Sequence, residues 1–474
     1  MNMNLRKLFL SSIALILVAF SARSQNGSND TIPASIEKIN SSIQVLKKLK
    51  ISGYIQAQFQ IADSTGIESF AGGNFTSGVD NRFSIRRGRV KFLYDNELSQ
   101  YVLQFDVTEK GVGIKDAYVS FTDPWLRWFS ITAGCFNRPF GYEIEFSSNQ
   151  RESPERSRMY QTLFPGERDL GVKLTIQGPK STKWNMIKLD AALINGTGPA
   201  AVDFDKYKDF TGHLSLNKSL LAEKMNFGLG FSYYNGGWGQ GTKYNYKMKD
   251  VTYADGTVRK MFAVDSTRTK GDKSERKYMG IDAQVSFDFP FGLTFLRGEF
   301  ISGTQPGTSG SSATPAAQPA EATITTYSTS LNTSTGNYTT TASATTPNSD
   351  TYVRKFHGFY IYWSQYILHT KHQFIVKYDV YNPNVDATQS GIGTKTGLPS
   401  WTKATGAADI KYSTLGLGWI YHWNANVRIT AYYDMVSNEN TAVGPTIKNG
   451  TVTNSGYQSD RPDNVLTLRV QYKF

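Results

Sequence analysis

The sequence predicts a transmembrane β-barrel of sixteen antiparallel strands, preceded by a short N-terminal α-helix. Three observations predict it. The chain closes on an alternating strand that ends in Phe474. It opens on a leader, and no later stretch is apolar enough to be a membrane helix. Between the two, sixteen alternating segments are joined by connections that are mostly short and long in turn.

In Val465–Phe474, Leu466, Leu468, Val470, Tyr472 and Phe474 share one face, and Thr467, Arg469, Gln471 and Lys473 share the other. A period of two is a strand with an apolar and a polar side. That pattern alone fits the edge of a soluble sheet as well as a barrel strand facing lipid and lumen. The leader decides between them. Residues 1–24 carry a basic start (Arg6, Lys7), an apolar run from Leu8 to Phe20 and the small-residue end Ala22-Arg23-Ser24, which is the form of a secretory signal peptide. A membrane helix needs roughly 20 apolar residues. An exported chain without one crosses a membrane only as a closed barrel.

Residues 25–50 form a periplasmic N-terminal segment in which 31–50 takes a helical period. Ile32, Ile36, Ile39, Ile43, Leu46 and Leu49 recur at spacings of four and three. Isoleucine at both core positions of a heptad favours trimers or tetramers. Two readings stay open: a trimeric coiled coil, or an amphipathic helix packed on the barrel.

The barrel occupies residues 51–474. Strands are expected near 51–61, 81–95, 98–108, 113–122, 127–137, 168–178, 183–195, 208–218, 223–235, 275–288, 291–303, 351–367, 371–382, 410–423, 425–438 and 463–474. Short turns fall near 95–97, 122–124, 179–181, 219–221, 289–290, 369–370 and 423–424. Long loops cover 62–80, 138–167, 196–207, 236–274, 304–350, 383–409 and 439–462, with one short exception near 109–111. Short turns on one side and long loops on the other are the outer-membrane pattern, with both termini in the periplasm. The 304–350 loop is dominated by Ser, Thr, Ala, Gly and Pro, so it reads as a flexible extracellular loop.

Composition narrows the function classes. The single Cys135 excludes an internal disulfide framework and a cysteine-based metal site. The net charge is +12, about +9 once Arg6, Lys7 and Arg23 leave with the leader. A basic balance fits nucleic acid, an anionic membrane surface or an anionic solute, and export argues against nucleic acid. The five histidines make no recognisable catalytic or metal pairing by spacing. No catalytic residue, metal or cofactor is therefore assigned, and no enzyme activity is expected.

Four stretches, Arg82–Arg89, Lys115–Tyr118, Pro139–Glu143 with Ser147, Ser148, Glu155 and Arg156, and Phe164–Val172, resemble the phosphate-selective porin O and P family. The resemblance is dense over residues 50–175 and rests beyond that on strand number and the terminal Phe474. It implies a trimeric outer-membrane porin whose third loop, 138–167, folds into the lumen as a constriction. It also implies lumenal basic residues that draw anions such as phosphate or polyphosphate inward, and recognition of Phe474 by the barrel-insertion machinery. The positions that match are Arg87, Arg89, Arg138, Arg151, Arg156 and Arg158. Lys91 and Arg168 complete the candidate pore-lining set.

The residues support part of this by themselves. Counting faces from Val90, Phe92 and Tyr94 puts Arg87, Arg89 and Lys91 in a lumenal ladder. Fixed positive charge replaces the water an anion loses in a pore, and the arginine fork binds two oxyanion oxygens at once. The same loop holds Glu143, Glu145, Glu152, Glu155 and Glu167, and lumenal faces carry Asp106, Asp116, Asp190, Asp282 and Asp434. Opposed charges give a transverse field as readily as phosphate specificity. A non-selective general porin and a non-conducting structural or adhesin barrel remain as alternatives.

Overall fold

The computed structural model describes residues 37, 39, 40 and 43 and the chain from 46 onward, apart from 200–201, 222–223, 254–255, 395–398, 449–450 and 455. The expected signal peptide, 1–24, and the first residues of the expected 31–50 helix lie outside the described residues. The described residues of 37–48 are helical, with Ile39, Ile43 and Leu46 exposed.

Sixteen strands make the barrel. They are β1 (Leu49–Ala62), β2 (Asn81–Asn96), β3 (Ser99–Thr108), β4 (Gly111–Thr122), β5 (Phe129–Asn137), β6 (Arg168–Gln177), β7 (Ile187–Ile194) and β8 (Asp209–Leu220). They continue as β9 (Met225–Gly239), β10 (Lys273–Phe289), β11 (Gly292–Gly307), β12 (Thr351–Tyr366), β13 (His372–Asn382), β14 (Tyr412–His422), β15 (Val427–Asn438) and β16 (Val465–Lys473). Each pairs with its neighbours in the sequence. The antiparallel register Tyr54↔Lys473 to Ala62↔Val465 joins β16 to β1 and closes the wall. Closure leaves no strand edge unpaired, which a sheet in hydrocarbon requires.

The barrel is apolar outside, and the inward faces of strands such as β1 and β16 are polar. On β16, Leu468, Val470 and Tyr472 are 45, 49 and 48% exposed, whereas Thr467, Arg469 and Gln471 are 0, 4 and 3% exposed. On β1, Gln56, Gln58 and Gln60 are buried, and Ile55 and Ile61 are exposed. Ile131, Val172, Leu214, Phe231, Ile281, Ile361 and Leu417 continue the outer apolar belt around the wall. A water-soluble protein does not present so continuous an apolar surface, and a lipid-facing wall does.

Connections alternate as the sequence predicts. Seven run short on one end: 97–98, 123–128, 178–186, 221–224, 290–291, 367–371 and 423–426. At one of them Asp123 caps the turn, accepting from the amides of Leu126 at 2.7 Å and Trp128 at 2.9 Å. The other end carries the long loops and the two-residue exception 109–110. Two segments of the 240–272 loop (Asn245–Thr252 and Val258–Val264) and Thr402–Lys403 extend the wall there, and Asn245–Lys247 pairs in parallel with the start of β12.

The 304–350 loop is a regular hairpin at its centre, Ile324–Asn332 against Asn337–Thr345, with every residue exposed. Its polar composition offers no core. But the Thr and Tyr within it favour extended backbone, and Gly336 at φ 71° supplies the left-handed residue of the turn.

Candidate pore constriction

The 138–167 loop leaves β5 and returns as β6, and between them it crosses the barrel interior. Two short helices shape it, α1 (Gly141–Glu145) and α2 (Arg158–Leu163). Its apolar half packs on one side of the inner wall. Phe140, Ile144, Met159, Tyr160, Leu163 and Phe164 are all at most 1% exposed, against Tyr234, Tyr278, Ile301, Phe356, Tyr360 and Tyr381. Burying a large apolar side chain contributes about 1.5–3 kcal/mol. Six of them hold the loop inside by on the order of 10 kcal/mol.

Glu299 on β11 fixes the start of the loop. Its carboxylate accepts from the amides of Tyr142 at 2.9 Å and Glu143 at 2.7 Å, and from the hydroxyls of Tyr160 and Tyr360. Gly141 sits at φ 64° where a Cβ would collide with the Tyr160 hydroxyl, so this contact needs glycine. Glu143 ties α1 to α2 by accepting from the hydroxyl of Ser157 at 2.7 Å.

The polar half of the loop reaches the opposite wall. Ser148 lies 2.5 Å from the Tyr54 hydroxyl and accepts from Arg89 at 3.0 Å. Glu155 accepts from Arg86 at 2.8 and 2.9 Å, from Arg87 at 2.8 Å and from Arg469 at 3.1 Å. Burial by itself would raise the Glu155 pKa; Arg86, Arg87, Arg469 and Arg151 instead hold it well below the usual carboxylate range. The Arg86–Arg87 pair is possible because the alternation of β2 slips by one residue there. Phe83 and Ile85 point outward above the slip, and Arg87 and Arg89 are buried below it. Such a slip turns two consecutive side chains inward.

The predicted site residues end in different settings. Arg87, Arg89, Arg156 and Arg168 reach the constriction but carry carboxylate partners: Glu155, Asp106 at 3.3 Å, Glu167, and Asp116 at 2.9 Å with Glu167. Arg151 bonds to the carbonyls of Ser153 and Pro154, and Lys91 stays half-buried further along β2. Arg158 is stacked between Tyr412, 3.7 Å from the ring centre, and Phe70 at 4.2 Å. Arg138 departs from expectation. It is fully buried against Asp169 at 3.1 Å, so it fastens the loop to β6 and does not line a pore.

Residues outside that set matter as much. Phe70 and Ala71 from the 63–80 loop join Arg156, Arg158, Lys377, Asp379 and Asp434 around a narrow cavity of about 30 Å³. Toward the short-turn end the interior widens to about 780 Å³. Arg297, Lys371, Arg428 and Lys473 line this wider cavity with a single carboxylate, Glu152, which is paired to Arg297. Alternation marked some of these positions as lumenal. It carried no signal that they converge.

No family model and no curated relative matches the chain. Among solved structures it is similar to OprB of Pseudomonas putida, with a TM-score of 0.53 at 9% identity over 92% of this chain and 97% of that one. It is also similar to an anion-selective porin from Comamonas acidovorans, with a TM-score of 0.48 at 9% identity over 90% and 99% of the two chains. A third similar structure is the outer-membrane channel DcaP of Acinetobacter baumannii, with a TM-score of 0.46 at 12% identity over 90% and 97%. At such identities the likeness concerns the fold, and the OprB match places this chain among closed porin-type barrels.

Proposed function

We propose that the protein is an outer-membrane porin through which small hydrophilic solutes diffuse, with a preference for anions. The apolar outer belt, the closed wall and the charged, loop-narrowed interior support the porin reading. One observation carries the anion preference: the wide cavity holds four permanent cations to one carboxylate among its lining residues. Fixed positive charge concentrates anions at a pore mouth. The short turns and both chain termini then face the periplasm, and Phe474 is the end offered to the insertion machinery.

Phosphate selectivity, as the family resemblance implies, is the finer form of this proposal. The carboxylates paired with Arg87, Arg89, Arg156 and Arg168 favour the milder reading, a general porin with modest anion preference. Assembly as a homotrimer is proposed from the isoleucine stripe of 31–50. Loss of the trimer on native gels after deletion of 31–50 is expected; an intact trimer would favour a helix that packs elsewhere. Liposome swelling tests the function: phosphate and small organic anions should enter faster than neutral sugars of equal size. Liposomes that do not swell in any of these solutes would refute it.

A further inference from the structure

We propose that the wide cavity at the short-turn end is a binding site for aromatic carboxylates, and that it prefers them to inorganic phosphate. This deepens the porin reading and rests on it. A site for a compact, strongly hydrated oxyanion needs charge and hydrogen-bond donors close together. This cavity is different in size and lining. At about 780 Å³ it falls within the range of about 300–1,000 Å³ typical of small-molecule sites.

Its wall is aromatic. Tyr142 and Phe146 stack at 5.2 Å and 24°, and Tyr366 stacks on His422 at 5.3 Å and 25°. Phe295 lies 6.5 Å from Tyr366. The Arg297 guanidinium is already held by this surface, 4.6 Å from the Phe146 centre and 5.6 Å from Phe295. Its charge is answered by Glu152.

The cations left for a ligand line the same cavity. Arg428 donates to the backbone carbonyl of Arg151 at 2.8 Å and to Gln471 at 3.0 Å. Among the described residues no carboxylate lies within ion-pair distance of Arg428 or Lys473. A planar guanidinium and an ammonium lining one cavity suit a carboxylate, and rings 4.5–7 Å apart attract a further aromatic ring edge-on or offset. An inorganic phosphate uses the charge and gains nothing from the rings.

Planar-bilayer recording at pH 7 tests this, with benzoate or inorganic phosphate added on the short-turn side and the block of chloride current read. Benzoate should half-block at a concentration about tenfold below that of phosphate, the size of effect one or two aromatic contacts give. The double variant Arg428→Gln/Lys473→Gln should weaken both blockers. Phe295→Leu/Tyr366→Leu should weaken benzoate alone. Equal block by the two anions in the unmodified protein overturns the proposal, with no variant needed. Calorimetry of benzoate with detergent-solubilised protein separates the two claims. Binding without channels would keep the site and refute the porin reading; channels without ring preference would do the reverse.

Discussion

Glu155→Gln separates a loop held by charge from a pore lined by free charge. One carboxylate serves Arg86, Arg87 and Arg469, at distances of 2.8–3.1 Å. The amide keeps the shape, loses the charge and turns one acceptor into a donor facing a guanidinium. Removing one partner of a buried ion pair costs about 3–5 kcal/mol. That is less than the on the order of 10 kcal/mol from the six apolar side chains of the loop. The loop therefore stays inside, and only its charged half loosens. Deleting the negative charge also favours anions. An ion roughly 8 Å away through water feels it by about 0.5 kcal/mol, or about twofold in relative permeability. Single channels in planar bilayers should become larger and noisier, and the reversal potential should move by about that twofold toward anions. A quiet open level of unchanged conductance would refute the claim that Glu155 anchors the constriction.

Arg138→Gln should lower the denaturant midpoint by the equivalent of about 3–5 kcal/mol while leaving ion selectivity unchanged, because Arg138 and Asp169 are both fully buried; a selectivity shift with intact stability would contradict its structural role. Acid should leave the clamp intact until the pH is well below the usual carboxylate range. A carboxylate with a lowered folded pKa contributes fully above its unfolded value of about 4.3 and is lost only as pH falls through the lowered one. Channel noise that grows as the pH falls from 7 to 5 in the unmodified protein, with no such pH dependence in Glu155→Gln, would count against this. Removal of 321–347 should change neither conductance nor thermal stability, since the hairpin it carries is wholly exposed; a collapsed conductance would give that loop a role in the pore.

The wall was legible because each strand states its own two faces. The sixteen alternating segments and the end-to-end contrast in connection length are local signals, and both match the barrel. The slip in β2 was not legible. Alternation counted from Val90, Phe92 and Tyr94 reaches Arg87 but leaves Arg86 on the wrong face, because the phase of burial reverses between Ile85 and Arg87. The hairpin at Ile324–Thr345 was hidden by composition: a polar run without a core reads as irregular although its backbone pairs. Charge in the third loop was visible, but its pairing was not. Glu155 meets Arg469 across 314 positions of sequence, and Glu299 meets Tyr160 across 139. Such partners are set by closure of the barrel, which no local pattern encodes. Arg138 shows the consequence, since as a sequence position it looks like the other loop arginines, and only its burial against Asp169 removes it from the pore.

The central claim is an anion-preferring pore narrowed by an internally anchored loop, and planar-bilayer recording of the purified protein across a salt gradient tests it most directly. Stable channels with a reversal potential on the anion side are expected, and the preference should be retained when phosphate replaces chloride. Absence of stable channels, or a reversal potential on the cation side, would contradict it.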